Sequence, residues 1–212
     1  MPITDRLFTI KSTLPPSVEL VAVSKFQPVS AIEEAYAAGQ RLFAESRPQE
    51  MLAKYETLAR DIEWHFIGHL QRNKIAQIAG FVSLIHSVDS ERLLAELSNH
   101  AVRLGRTIRV LLQVHIAAEE TKQGFTASEL RSIMARPLPA GIDIVGLMGM
   151  ASFTDDQTQI AREFSSLRLL FDQYDTLTTL SMGMSGDYRI AIDCGATMIR
   201  LGTSIFGDRT NN

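Results

Sequence analysis

Short, nearly continuous apolar runs recur along the whole chain, and almost every one is followed by a helix-sized amphipathic stretch. The first run, Val18–Ser24, lacks the polar alternation of a half-exposed strand, as expected of one covered on both faces. Seven more strands are expected at Arg41–Glu45, Glu63–Gly68, Val82–Val88, Thr107–Ile116, Ile142–Met148, Thr179–Gly183 and Thr197–Gly202. Helical patterns lie at Gln49–Arg60, Asn73–Ala79, Ser90–Leu104, Ala127–Ala135, Thr158–Tyr174 and Asp187–Asp193, with a further helix between Pro28 and Gly39 and an opening one at Ile3–Ser12. Alternating β and α elements require a parallel sheet with right-handed crossovers.

Two architectures satisfy that rule. A doubly wound open sheet usually has about six strands, whereas eight βα units close into a (β/α)8 TIM barrel. Eight strands in 212 residues favour the barrel, a small one with few insertions. No linker, charge block or shift in composition divides the chain, so residues 1–212 are expected to form a single domain. With 45% hydrophobic and 21% charged residues, it is not a disordered or low-complexity chain. A net charge of −3 supplies no global field for nucleic acid. No window approaches the ~18 uninterrupted apolar residues of a membrane helix. Asp5 and Arg6 stand where a leader peptide would need its apolar stretch. The single cysteine, Cys194, suits a reducing compartment, and a cytoplasmic protein is expected.

Barrel sites lie at the carboxyl ends of the strands. Lys25 ends the first strand at that rim, where partial desolvation favours an amine able to attack a carbonyl. The same position also suits a solvated lysine just outside a strand. Ser185-Gly186 follows strand seven and Gly202-Thr203-Ser204 follows strand eight. Such turns converge backbone N–H groups on an anion, at the two loops barrels use for phosphate, although Gly and Ser are common in any turn. Arg200 points into the barrel mouth if its strand alternates regularly, and otherwise toward a helix and a carboxylate. A rim lysine and a phosphate cradle together suggest a ligand carrying an aldehyde and a phosphate on a flat ring. Pyridoxal 5′-phosphate fits that description.

Other signals are weaker. His65 and His69 stand four apart, but on a strand running into a loop and without the glutamate of a zinc-protease motif; no metal site is expected. Dinucleotide and P-loop fingerprints are missing, and Cys194 reads as a packing residue at a helix end. Arg41, Arg47, Arg72 and Lys74 lack the interleaved aromatics of a nucleic-acid surface.

Several long motifs resemble the pyridoxal phosphate homeostasis protein family almost end to end. They are Val21–Lys25, Trp64–Lys74, Ile85–Asp89, Gly146–Met150, Leu180–Ser185 and Met198–Gly207. The resemblance implies a barrel like the amino-terminal domain of alanine racemase (the fold type III of pyridoxal phosphate proteins) with an extra amino-terminal helix. It implies that Lys25 is the Schiff-base lysine, that Ser185, Gly202 and Thr203 hold the phosphate, and that Arg200 approaches the pyridine nitrogen. Two positions depart from the family pattern. Ser46 stands where an asparagine is expected near the cofactor, so a contact there is shortened, water-bridged or absent. His115 stands where asparagine is frequent.

A racemase of this barrel type takes a second acid/base group from an added domain. Here the chain ends at Asn212, shortly after the last expected strand. The expectation is therefore a cofactor-holding protein in vitamin B6 homeostasis and amino-acid and keto-acid balance, without robust turnover. It would be a monomer, with apo-enzymes that use the cofactor or a regulatory protein as partners. The alternatives are a stand-alone amino-acid racemase and a protein-interaction module.

Overall fold

The structure, a computed structural model, describes residues 1–119 and 121–207. Residue 120 and the last five positions of the expected 1–212 domain lie outside the described residues. Eight parallel strands close into a barrel in chain order: β1 Glu19–Val23, β2 Leu42–Glu45, β3 Glu63–Phe66, β4 Leu84–Val88, β5 Ile108–Gln113, β6 Ile142–Met148, β7 Thr179–Ser181 and β8 Met198–Leu201. Closure is made by β1 on β8, with Leu20 opposite Ile199 and Val21 opposite Arg200. The eight-unit reading of the sequence holds, and the open sheet is excluded.

Helices cover the outside: α1 Ile3–Thr13, α2 Val29–Ala37, α3 Pro48–Thr57, α4 Ile75–Ile78, α5 Glu91–Leu104, α6 Ala127–Met134, α7 Gln157–Phe171, α8 Tyr188–Asp193 and α9 Thr203–Phe206. Local chemistry explains their ends. The Ser90 hydroxyl accepts from the Leu93 N–H at the start of α5, and Gly105, left-handed at φ 61°, closes it. Thr126 and Glu129 form a reciprocal capping box on α6. Two expectations change. The Asn73–Ala79 helix is a 3-10 turn, Arg72–Lys74, running into the one-turn α4. The last strand is also followed by a helix, α9, too short to show a period in the sequence.

The apolar residues fall into two layers. The larger lies between sheet and helices and holds the bulkiest buried side chains, Trp64, Phe43, Phe66 and Phe164. The smaller fills the barrel: Val21, Val23, Ala44, Leu84, Leu111, Val145, Met148 and Met198. A bulge in β6 at Val145 lets that residue share the interior with Met148. Among the described residues no helix is long and apolar enough to cross a membrane.

Candidate functional site

The site is built where β1, β2, β7 and β8 end. Beyond Val23 the chain makes a tight turn, in which the Gln27 N–H donates to the Ser24 carbonyl at 3.0 Å. Lys25 is the second residue of that turn and half-buried. The third, Phe26, takes a positive φ of 65°, a conformation that disfavours a side chain. Helix α3 holds it there. Glu50 Oε1 accepts the Phe26 N–H at 2.7 Å, and the Arg47 guanidinium lies 4.7 Å from the Phe26 ring centre.

Beneath this turn lies a buried ionic cluster. Lys54 Nζ donates to the Ser24 carbonyl at 2.8 Å, to Glu45 Oε1 at 2.8 Å and to Glu50 Oε1 at 2.7 Å. The Ser24 hydroxyl donates to Glu45 Oε1 at 2.6 Å. Burial pushes the Glu45 carboxyl up from its ordinary range, against the pull of the Lys54 ammonium. Glu45, the last residue of β2, points between sheet and helix, where Lys54 of α3 meets it. Sequence reasoning missed Lys54 altogether. Its only signal is the Glu50–Lys54 spacing of four, usually a solvent-exposed helix pair.

Ser46 leaves β2 beside the lysine turn, since Val23 and Ala44 are opposite one another in register. It is half-buried, with its backbone tight against Gly68. A Cβ at Gly68 would fall 2.1 Å from the Ser46 carbonyl oxygen, so only glycine fits there. The Ser87 hydroxyl donates to the Gly68 carbonyl and ties β4 to the same corner. His115 sits in the loop after β5, its Nε2 2.9 Å from the Glu119 carbonyl.

On the other side, Gly183 turns the chain out of β7 with φ 94°. Its carbonyl accepts the Arg200 N–H at 3.0 Å, and Asp187 Oδ1 accepts the Met184 N–H at 2.6 Å. The resulting turn presents Ser185 to the start of α9. The N–H groups of Gly202 and Ser204 both point at Ser185 Oγ, each at 3.4 Å. Ser185, Gly202 and Ser204 therefore come together as the sequence suggested, with Thr203 between them on the first turn of α9. Gly202 faces β1: a Cβ there would lie 3.5 Å from the Val23 carbonyl oxygen. An open cleft of about 620 Å³ adjoins this corner, lined by Ser185, Gly186, Tyr188, Ser204 and neighbouring residues.

Arg200 points into the barrel, not toward a helix. It is buried, and donates from Nη1 to Ser181 Oγ at 2.6 Å and from Nη2 to the Gly149 carbonyl at 3.2 Å. Burial lowers its pKa to about 10, which leaves it charged at neutral pH. The two histidines four apart part company. His69 at the mouth lies 3.2 Å from Asp89, whereas His65 is buried in the barrel against His86. Cys194 follows α8 half-buried, its Sγ 3.6 Å from the Ala161 carbonyl.

The closed parallel (β/α)8 barrel is the fold of the alanine racemase N-terminal domain, whose family model matches residues 3–210. The relatives narrow the class. The pyridoxal phosphate homeostasis protein of Synechocystis is 45% identical, over 94% of this chain and 95% of its own length. That of Aquifex aeolicus is 38% identical over 90% and 87%. PipY of Synechococcus elongatus, solved without and with pyridoxal phosphate bound, superposes with a TM-score of 0.90 at 41% and 40% identity, covering 97% of this chain and all of that one. Alanine racemase of Clostridium difficile shares the fold, with a TM-score of 0.81 at 15% identity, this chain spanning 58% of it. The chain belongs to the pyridoxal phosphate homeostasis protein family.

Proposed function

We propose that this protein binds pyridoxal 5′-phosphate, holds it covalently through Lys25 Nζ, and serves cellular homeostasis of that cofactor. The observation that carries this reading is the juxtaposition of the first and last strands. The lysine turn leaves β1 beside a serine oxygen onto which two backbone N–H groups converge after β8. The donor set fits the ligand. Ser185, Gly202, Thr203 and Ser204 offer hydroxyl and N–H donors to a phosphate. Arg200 offers a fixed guanidinium to the ring nitrogen, and Ser46 lines the mouth beside Lys25. When bound, the cofactor supplies an aldehyde that captures amines.

The chain's residues hold and orient. An arginine that stays protonated at neutral pH is a poor proton donor, so Arg200 would leave the ring nitrogen unprotonated and the ring a weak electron sink. That suits a holder of the cofactor better than a catalyst acting on amino acids. The reading includes a single barrel working as a monomer in the cytoplasm, with apo-enzymes as recipients.

The test is borohydride trapping. The wild-type protein, incubated with pyridoxal 5′-phosphate and reduced, should carry one adduct mapped to Lys25 by mass spectrometry, and Lys25→Ala should carry none there. A wild type that acquires no adduct overturns the cofactor assignment. Turnover of added amino acids would replace the carrier reading with that of a stand-alone racemase or related enzyme.

A further inference from the structure

We propose that Ser181, His86 and His65 form a neutral hydrogen-bonded relay across the barrel interior that fixes the orientation of Arg200 for the ligand. The inference deepens the reading above and rests on Arg200 meeting the cofactor ring. From β8, Arg200 Nη1 reaches Ser181 Oγ on β7 at 2.6 Å. Ser181 Oγ lies 3.0 Å from His86 Nδ1 on β4, and His86 Nε2 lies 3.0 Å from His65 Nδ1 on β3. All four side chains are buried.

Donor and acceptor chemistry gives the relay one direction. A guanidinium only donates, so Ser181 Oγ must accept from Arg200. Were Ser181 Oγ also to accept from His86, its own buried proton would have no acceptor among the described contacts, so that proton is directed to His86 Nδ1. His86 must carry its own proton on Nε2 and donate it to His65 Nδ1. His65, accepting at Nδ1, is protonated on Nε2. The geometry thus assigns the same tautomer to both rings, and both neutral. Burial supports this: it lowers His65 to about 3 and His86 well below its ordinary value, with the nearby charges of Arg109 on His65 and Arg200 on His86 acting the same way.

The consequence for Arg200 is geometric. A planar guanidinium is oriented by two fixed acceptors, here Ser181 Oγ and the Gly149 carbonyl. The carbonyl is backbone and stays in place. The hydroxyl is a rotor, and it presents its lone pair to Arg200 only because His86 takes its proton. The relay therefore locks a torsion two residues away from the ligand.

The test begins on the cofactor-free protein with ¹⁵N-labelled histidine. The imidazole nitrogens at neutral pH should show both rings neutral, protonated on Nε2, with His86 Nδ1 accepting a hydrogen bond. A His86 ring protonated on Nδ1, or an imidazolium, overturns the relay whatever the cofactor does. The second arm uses ring-¹⁵N pyridoxal 5′-phosphate on the loaded protein. Ser181→Ala should shift the bound ring-nitrogen resonance and the visible absorbance maximum, and weaken binding by about ten-fold or more. Ser181→Thr, which keeps the hydroxyl, should restore both signals. His86→Asn serves as the second variant, leaving Ser181 and Arg200 in place, and should reproduce the shift. If Ser181→Ala and His86→Asn still carry the Lys25 adduct, with ring-nitrogen signals identical to wild type, the relay is overturned and the cofactor assignment stands. Absence of the adduct in wild type removes both.

Discussion

Lys54 shows how much one side chain can carry here. Its side chain, 7% exposed, ends in an ammonium bonded to two carboxylates and a carbonyl directly beneath the lysine turn. Lys54→Met leaves Glu45, wholly buried, without its cation. The loss should reach about 3–5 kcal/mol, read from urea denaturation midpoints. The double variant Glu45→Gln/Lys54→Met should recover a large part of it, because the stranded charge is gone; a double variant as unstable as the single one would show that the cluster is not acting as an ion pair. The residue just before Gln27 tells a related story. Phe26 keeps a positive φ because Glu50 and Arg47 hold it from α3. A β-branched residue suits that backbone least, so Phe26→Val should cost about 1–2 kcal/mol more than Phe26→Gly.

Among the elements, the turn after β7 is tightly constrained. At Gly183 an added Cβ would lie 2.7 Å from the Ala191 Cβ and 2.9 Å from the Tyr188 Cα, on a backbone of φ 94°. Gly183→Ala must push α8 away and should cost at least about 2 kcal/mol while displacing the Ser185 turn. Gly186→Ala, with open space around it, should change the denaturation midpoint little. The strands themselves were legible because branched apolar runs follow the parallel-sheet pattern. Their ends were read long where the chain stays apolar after its pairing stops, as at Val114, which forms only an isolated bridge to Phe125. Lys25, Ser185, Gly202 and Arg200 could be picked out as candidates because they stand at strand ends, where barrels carry their sites. The Glu45–Lys54 cluster could not, since a carboxylate and a lysine on separate elements carry no period. The His65–His86 pair was hidden for the same reason: sequence spacing drew attention to His69, whereas the alternation of β3 and β4 turned the other two inward.

For the molecule as a whole, the two interior histidines set a response to acid. An unfolded histidine titrates near 6.5, while His65 is lowered to about 3 and His86 well below its ordinary value, chiefly by burial. Below pH 6.5 the unfolded chain binds protons that the folded chain refuses. Their contribution is fully present above that pH and is lost as pH falls toward 3, by up to about 1.4 kcal/mol per pH unit for each ring. Urea midpoints should therefore fall between pH 7 and pH 5, and a flat profile over that window would contradict the placement of both histidines.

Closure of the barrel by its first strand on its last has a consequence for synthesis. The turn that bears Lys25 leaves the ribosome early, whereas the corner formed by Gly202 and Ser204 emerges near the end of translation. A nascent or truncated chain has the amine without the corner of converging N–H groups proposed to steer the ligand to it. If the ligand is held as proposed, capture is reserved for finished molecules, and the amount bound tracks completed copies, not initiated ones.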